Sequence, residues 1–466
     1  MTRAVSRFVD DQKMSDTEGL MWRLEKDPHL SSTFANISIL DRQPDFDLFR
    51  RRMERTTLVI PRLRQVVRSV PGLLAPPTWI DDSNFDIDRH VRRVALPEPA
   101  DEQALLNLAT IIAADPFDRI RPLWQFTLVE GLSDGRAALI QKMHHTIADG
   151  ERGVQLSLEF LDFERNAAPP PMPDPETIAA VEDDPHDDAA DVVRDLLAAA
   201  FRLPIGVVRH MRELLDNPEQ IPEAGVAATD TLRSVIRQLG DTDEARSPLW
   251  TDRSLGRHLE VATAPFRQTK DASKALGGTL NTAFLTIATE AVGRYHVELG
   301  APVEALRASM AISTRSDGSG ANAFSLVRML VPTGEIPIDE RFRAIQAATN
   351  DAVEQSRSSS LDALAAFSST LPTSIVTRLA RQQARTVDFA TSNVKGSPVA
   401  MYLAGAKLLS NFAVGPLSGV AFNLTLLSYL GRLDMGLNTD SAAVSEPALL
   451  RRFIEEAVDD LVRCAD

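Results

Sequence analysis

QKMHHTIADG, residues 141–150, closes an apolar run and sets two adjacent histidines ahead of an aspartate and a glycine. Residues Ala137 to Met143 are apolar and almost free of turn formers, so they read as a strand. Side chains alternate across a strand, which puts His144 and His145 on opposite faces and lets only one of them line a given cleft. An imidazole has an unperturbed pKa of about 6.5, so a neutral ring can take a proton from an attacking hydroxyl near neutral pH. The same pattern also fits a purely structural histidine at a strand end. Asp149, with a turn expected at Gly150, favours a site, although spacing alone does not decide it.

Outward from this stretch, Trp124 to Glu130 and Arg136 to Met143 read as a hairpin around a turn containing Ser133, Asp134 and Gly135. Phe34 to Leu40 reads as another strand. Phe46 to Val59, carrying Arg50, Arg51, Arg52 and Arg55, and Glu102 to Ala114 read as helices. Five prolines then fall between Pro169 and Pro175, and eight acidic residues with no Lys or Arg lie between Asp174 and Asp191. Such a segment is too polar to pack and is expected to be a linker. Val192 to Leu215 bears an apolar stripe interrupted at Pro204, the pattern of two amphipathic helices that pack on the body or lie on lipid beside Arg194, Arg202, Arg209 and Arg212. Further on, Thr279 to Tyr295 and Phe342 to Glu354 read as helices. Ala308 to Ile312, Ser325 to Val331 and two runs within residues 419–436 read as strands. Mixed elements on both sides of the linker predict two α/β domains, residues 1–168 with the histidines and 226–466, joined by a linker and crossover over 169–225.

Composition narrows the chemistry. Of 466 residues, 44% are hydrophobic and 25% charged, as in globular proteins, and no apolar run approaches the roughly 18 residues that would span a bilayer. The N-terminus is too polar for a signal peptide, so a cytoplasmic protein is expected. Cys464 is the single cysteine, which argues against a disulfide framework, a Cys-based zinc cluster and a thiol nucleophile. Two histidines adjacent on a strand diverge and do not easily chelate one metal ion. A formal charge of −15 argues against nucleic-acid binding, and an anionic substrate would have to meet a local basic patch.

Several segments together carry a family resemblance: SDTEGLMWRLE (15–25), FDIDRHVRRVALP (85–97), DPFDRIRPLWQFTLVEGLSDGRAALIQKMHHTIADG (115–150), TSNVKGSP (391–398) and NLTLLSYLGRLDMGL (423–437). In this order and spacing they resemble the bacterial wax ester synthase/diacylglycerol acyltransferase family, of the chloramphenicol acetyltransferase-like superfamily that includes condensation domains. The HHxxxDG signature falls on His144, His145, Asp149 and Gly150, and PLW on Pro122, Leu123 and Trp124. The resemblance implies a pseudo-dimer of two related α/β domains with a tunnel between them. Acyl-CoA would enter as co-substrate, with no other cofactor and no metal, and would meet diacylglycerol or a long-chain alcohol.

By the same resemblance His145 is the general base, His144 a buried hydrogen-bonding partner, and Asp149 a carboxylate that holds the histidine turn by pairing with an arginine. Asn281 either hydrogen-bonds the reacting oxygen or caps its helix. Ser392 and Asn393 line the channel or form a turn before Gly396, and Trp124 is either core or a substrate contact. The Arg50 to Arg55 cluster either meets the CoA phosphates or is a solvated helix face. Two departures stand out: Thr282 follows Asn281 where the family commonly has Asp, and NVKGSP carries Lys395 and an inserted Ser397 where the family has NVPGP. Both bear on specificity more than on reaction type. Two other readings are a carrier-protein-dependent transferase of this fold and a non-catalytic lipid-droplet surface protein; peripheral association with a membrane or droplet is compatible with all three.

Overall fold

The computed structural model describes residues 12–69, 76–148, 150–173, 245–313, 324–356 and 372–464. In chain order the first part runs α1 (Asp16–Leu24), β1 (Thr33–Leu40), α2 (Phe46–Val59), β2 (Gln65–Arg68), β3 (Thr78–Asp81), β4 (Val91–Ala95), α3 (Glu102–Ala114), β5 (Trp124–Glu130), β6 (Ala137–His144) and α4 (Gly150–Ser157). The second part runs β7 (Arg257–Pro265), α5 (Phe266–Ala275), α6 (Leu280–Glu298), β8 (Ala305–Ser313), β9 (Phe324–Pro332), α7 (Ile338–Ser356) and α8 (Thr373–Ala384). It continues with β10 (Phe389–Val394), β11 (Tyr402–Leu403), β12 (Ala406–Val414), β13 (Phe422–Tyr429), β14 (Arg432–Asp440) and α9 (Pro447–Arg463). Asp149, the acidic linker and the expected amphipathic helices over 192–215 lie outside the described residues.

Local sequence accounts for the element ends. Ser15 and Glu18 close a reciprocal capping box on α1, and Asp45 and Asp101 accept from the amides of Leu48 and Ala104 to cap α2 and α3. The hairpin turn between β5 and β6 places Gly131 and Gly135 at positive φ, where a Cβ would strain the backbone.

Two six-stranded sheets form, in the orders β11-β12-β1-β6-β5-β4 and β7-β14-β13-β10-β8-β9. Both are mixed: β4 and β5 are parallel, β10 is parallel to β8 and β13, and the other pairs are antiparallel. The α/β class read from the sequence is the one observed. The two sheets do not follow the linear division at the linker, however, because β11 and β12 from the second half extend the first sheet. Strand β1 supplies the reason: its edge opposite β6 would be left unpaired, and β12 fills it from Ala35↔Val414 to Leu40↔Leu408.

Strand β6 is central and buried along its whole length. Ala138 and Ile140 pack toward α3 with Leu105, Leu106 and Ala109, whereas Leu139 and Met143 join Trp124, Phe126 and Phe160 on the opposite side. Each such large apolar side chain contributes about 1.5–3 kcal/mol on burial. Where β12 crosses toward the second sheet, the Asn411 amide donates to Asp434 Oδ2 at 2.7 Å, and a Cβ on Gly436 would stand 2.2 Å from the Ala413 carbonyl oxygen. The sheets meet backbone to backbone at a point that accepts only glycine.

Candidate active site

Strand β6 ends at His144, and His145 begins the turn that leads into α4. The Leu123 carbonyl accepts from the His144 amide at 3.0 Å, and the Ser32 carbonyl accepts from the His145 amide at 3.1 Å, so neighbouring strand ends hold the histidine pair from both sides. The two rings then diverge, as alternation requires.

His144 is fully buried and both its ring nitrogens are engaged. The Thr146 amide donates to Nδ1 at 3.2 Å, and the Thr146 hydroxyl lies 2.8 Å from the same atom. Nδ1 is thereby an acceptor, which leaves the proton on Nε2 to be donated to Glu25 Oε2 at 3.0 Å. Glu25 also accepts from the Ser31 hydroxyl and the Ser32 amide, both at 2.7 Å. Burial raises the Glu25 pKa, but the hydrogen bonds from His144, Ser31 and Ser32 outweigh it and hold the carboxyl below its ordinary value. With both nitrogens occupied, His144 has no lone pair to offer a substrate.

His145 is half-buried and rests against the Phe34 ring, with centroids 4.7 Å apart and planes at 42°. Helix α4 closes over this side: a Cβ on Gly153 would lie 3.9 Å from Phe34 Cζ. Gly150 opens that helix.

Lys142 shares the His144 face of β6. Its Nζ donates to the Asp115 carbonyl at 2.6 Å and sits 4.4 Å from the centroid of Phe117. Burial pulls its pKa down to about 8. Trp124 is core, with its indole donating to the Leu63 carbonyl at 2.8 Å. His90 donates from Nδ1 to the Trp124 carbonyl at 2.7 Å and stacks between Phe85 and Trp124. FDIDRH, PLW and the histidine strand, separate in sequence, are thus one packed unit.

The remaining sequence candidates gather on the second sheet. Asn393 at the end of β10 donates its amide to Asn281 in the first turn of α6. Asn281 is not the helix cap: Thr279 is, in a reciprocal box with Thr282, whose hydroxyl also donates to Gln346 at 2.6 Å. Ser392 pairs in register with Thr425 of β13 and is half-buried. In the cluster from Arg50 to Arg55, Arg50 is paired with Asp88, Arg52 with Asp162 and Arg55 with Glu159, so most of that charge is cancelled locally. Glu25 and Lys142 are the site neighbours that sequence reading missed. Glu25 lies 119 residues from its partner, and no local pattern announces it.

The fold is found in solved structures. The wax ester synthase/diacylglycerol acyltransferase of Marinobacter aquaeolei VT8 aligns over 98% of this chain and all of its own length, with a TM-score of 0.67 at 19% identity. The first condensation domain of the calcium-dependent antibiotic synthetase aligns over 97% of this chain and 96% of its own, with a TM-score of 0.59 at 13% identity. These likenesses show the fold, the two-domain mixed α/β arrangement shared by that acyltransferase and that condensation domain. In sequence, residues 14–284 match the wax ester synthase/diacylglycerol acyltransferase catalytic domain and residues 320–462 match the WS/DGAT C-terminal domain. A Mycobacterium tuberculosis H37Rv protein named as a diacylglycerol O-acyltransferase is 33% identical over 477 residues, covering 98% of this chain and 94% of that relative. The chain belongs to the wax ester synthase/diacylglycerol acyltransferase family and is an acyltransferase.

Proposed function

We propose that this enzyme transfers a fatty acyl group from acyl-CoA to the hydroxyl of diacylglycerol or a long-chain alcohol, releasing triacylglycerol or wax ester and free CoA. His145 is the general base. As the acceptor oxygen attacks the thioester carbonyl, its proton passes to the His145 ring and then to the departing thiolate. A thioester is already activated, so the reaction needs no acyl-enzyme, and holding the two substrates together in a tunnel between the sheets supplies much of the rate. The observation that carries this reading is the contrast within the pair: His144 is locked by Glu25 and Thr146, and His145 is the ring left half-exposed beside Phe34. Asp149 belongs to the proposal as the carboxylate that steadies the turn.

Relatives named as diacylglycerol O-acyltransferases support diacylglycerol as the acceptor. Among the described residues no helix is long and apolar enough to cross a membrane. Peripheral contact with a membrane or droplet surface, where the lipid substrates reside, is part of the proposal. The test is a mass-spectrometric profile of neutral lipids after the protein receives palmitoyl-CoA with both hexadecanol and dioleoylglycerol. Palmitoyl hexadecanoate or a triacylglycerol is the expected product. Turnover only of an acylated carrier protein, no product from any alcohol, or a trapped acyl-protein bond would each sink the mechanism as stated.

A further inference from the structure

Helix α8 carries Arg378 and Arg381 and is followed by Arg385 as its C-cap, still in helical conformation, and the spacing of three and four residues puts them on one face. All three are exposed, and with Asp27, Thr377 and Thr386 they line an open cavity of about 640 Å³. That volume suits a small molecule. Asp27 is the single carboxylate of the lining, and it is already bound to Arg381, whose guanidinium also reaches His29 Nδ1 at 2.8 Å. Among the described residues Arg378 and Arg385 have no carboxylate partner. Deeper in the wall, Arg307 donates to the Thr386 carbonyl at 3.2 Å and Arg328 to its hydroxyl at 3.5 Å. Asp388, a buried carboxylate two residues on, accepts from the amides of Arg246, Ser247 and Arg307 at 3.2, 2.8 and 2.7 Å and so places one negative charge behind this inner wall. A chain of net charge −15 therefore presents Arg378 and Arg385 to an open cavity with no carboxylate partner among the described residues, whereas most arginines of the cluster on α2 are paired with acids.

The cavity is also near the reacting centre. Asp27 and Ser32 are five residues apart, a span of at most about 18 Å, and the Ser32 carbonyl holds the His145 amide. Between them, Ser31 and Ser32 bind Glu25, the partner of His144. A ligand with phosphates on α8 and a flexible arm can thus extend along the Asp27–Ser32 segment to the histidine turn.

We infer that the cavity on α8 binds the phosphate-bearing nucleotide end of the acyl donor, with Arg378 and Arg385 contacting phosphate oxygens and Arg381 tying the cavity wall to Asp27 and His29. This rests on acyl-CoA being the donor. Guanidinium groups suit phosphate through paired, charge-assisted hydrogen bonds.

The test uses the full chain with Arg378→Glu and Arg385→Glu combined, and separately Arg378→Gln with Arg385→Gln to guard against misfolding from charge reversal. Binding of CoA and of adenosine 3′,5′-bisphosphate is measured by calorimetry. KM is measured for palmitoyl-CoA and for S-palmitoyl-N-acetylcysteamine, a thioester without phosphates. The expected result is CoA affinity weakened by about tenfold or more, for the loss of charge-assisted contacts. KM for palmitoyl-CoA should rise in parallel, with the phosphate-free donor unaffected. CoA affinity and KM unchanged in both variants overturn the inference, as does a loss confined to an acylated carrier protein. If the bisphosphate binds and the variants abolish that binding while palmitoyl-CoA is never turned over, the site stands and the donor assignment falls.

Discussion

The two faces of strand β6 are put to opposite uses. On one, Lys142 and His144 are buried and held in place: an ammonium on a backbone carbonyl, an imidazole between a carboxylate and a threonine. On the other, the row of Gln141 and Met143 leads to His145, which lies against Phe34 beneath α4 and retains partial exposure. One face spends its polar groups on holding a turn in place, and the other presents a ring held by that turn. A rigid polar network behind a reactive group is what preorganisation requires, since a base misplaced by an ångström loses much of its effect.

The sharpest way to break this contrast is to remove each ring in turn. His145→Ala is expected to lower turnover by about 10² to 10⁴, the usual worth of a general base, with little change in denaturant midpoint. His144→Ala should instead lower stability, by about 1–3 kcal/mol for the partners left unsatisfied. Equal turnover losses with equal stability changes would erase the distinction.

Lys142 gives a pH signature of the buried face. Its folded pKa of about 8 lies below the ordinary 10.5, so between these values the unfolded chain holds a proton that the folded chain has released. Stability therefore rises with pH across that window, by roughly 3 kcal/mol, and the gain is absent below pH 8. Lys142→Met should remove the rise in urea titrations at pH 7.5, 9 and 10; a variant with the same pH slope as the parent would refute the burial account.

Glu25 works with the opposite sign. Its lowered pKa means that its contribution is present above the ordinary carboxyl range and fades as pH falls through the folded value. Glu25→Gln is expected to cost about 1–2 kcal/mol at pH 7, less at pH 4, and to reduce turnover by loosening the turn around His145. A penalty independent of pH would point to shape, not charge. The smallest effect is expected from Trp124→Phe: about 1 kcal/mol for the lost bond to Leu63, with KM for the donor unchanged. A shifted KM would make Trp124 a substrate contact.

Much of the architecture was readable because it is local. Apolar, turn-free runs mark β1, β5 and β6, and α2 and α3, capped by Asp45 and Asp101, begin and end where the periodicity places them. The divergence of His144 and His145 follows from strand geometry alone, and the ordered motifs gave the family. What local pattern does not encode is pairing across the chain: β11 and β12 joining the first sheet, Glu25 meeting His144 over 119 residues, Asn393 meeting Asn281 over 112. Cancellation of charge belongs to the same category. The arginines of α2 and of α8 look alike as sequence, and only the fold brings Asp88, Asp162 and Glu159 to the first group and leaves Arg378 and Arg385 open. Propensity and periodicity act within a few residues, whereas the partner of a buried charge is chosen by whichever distant segment the sheets bring within about 3 Å.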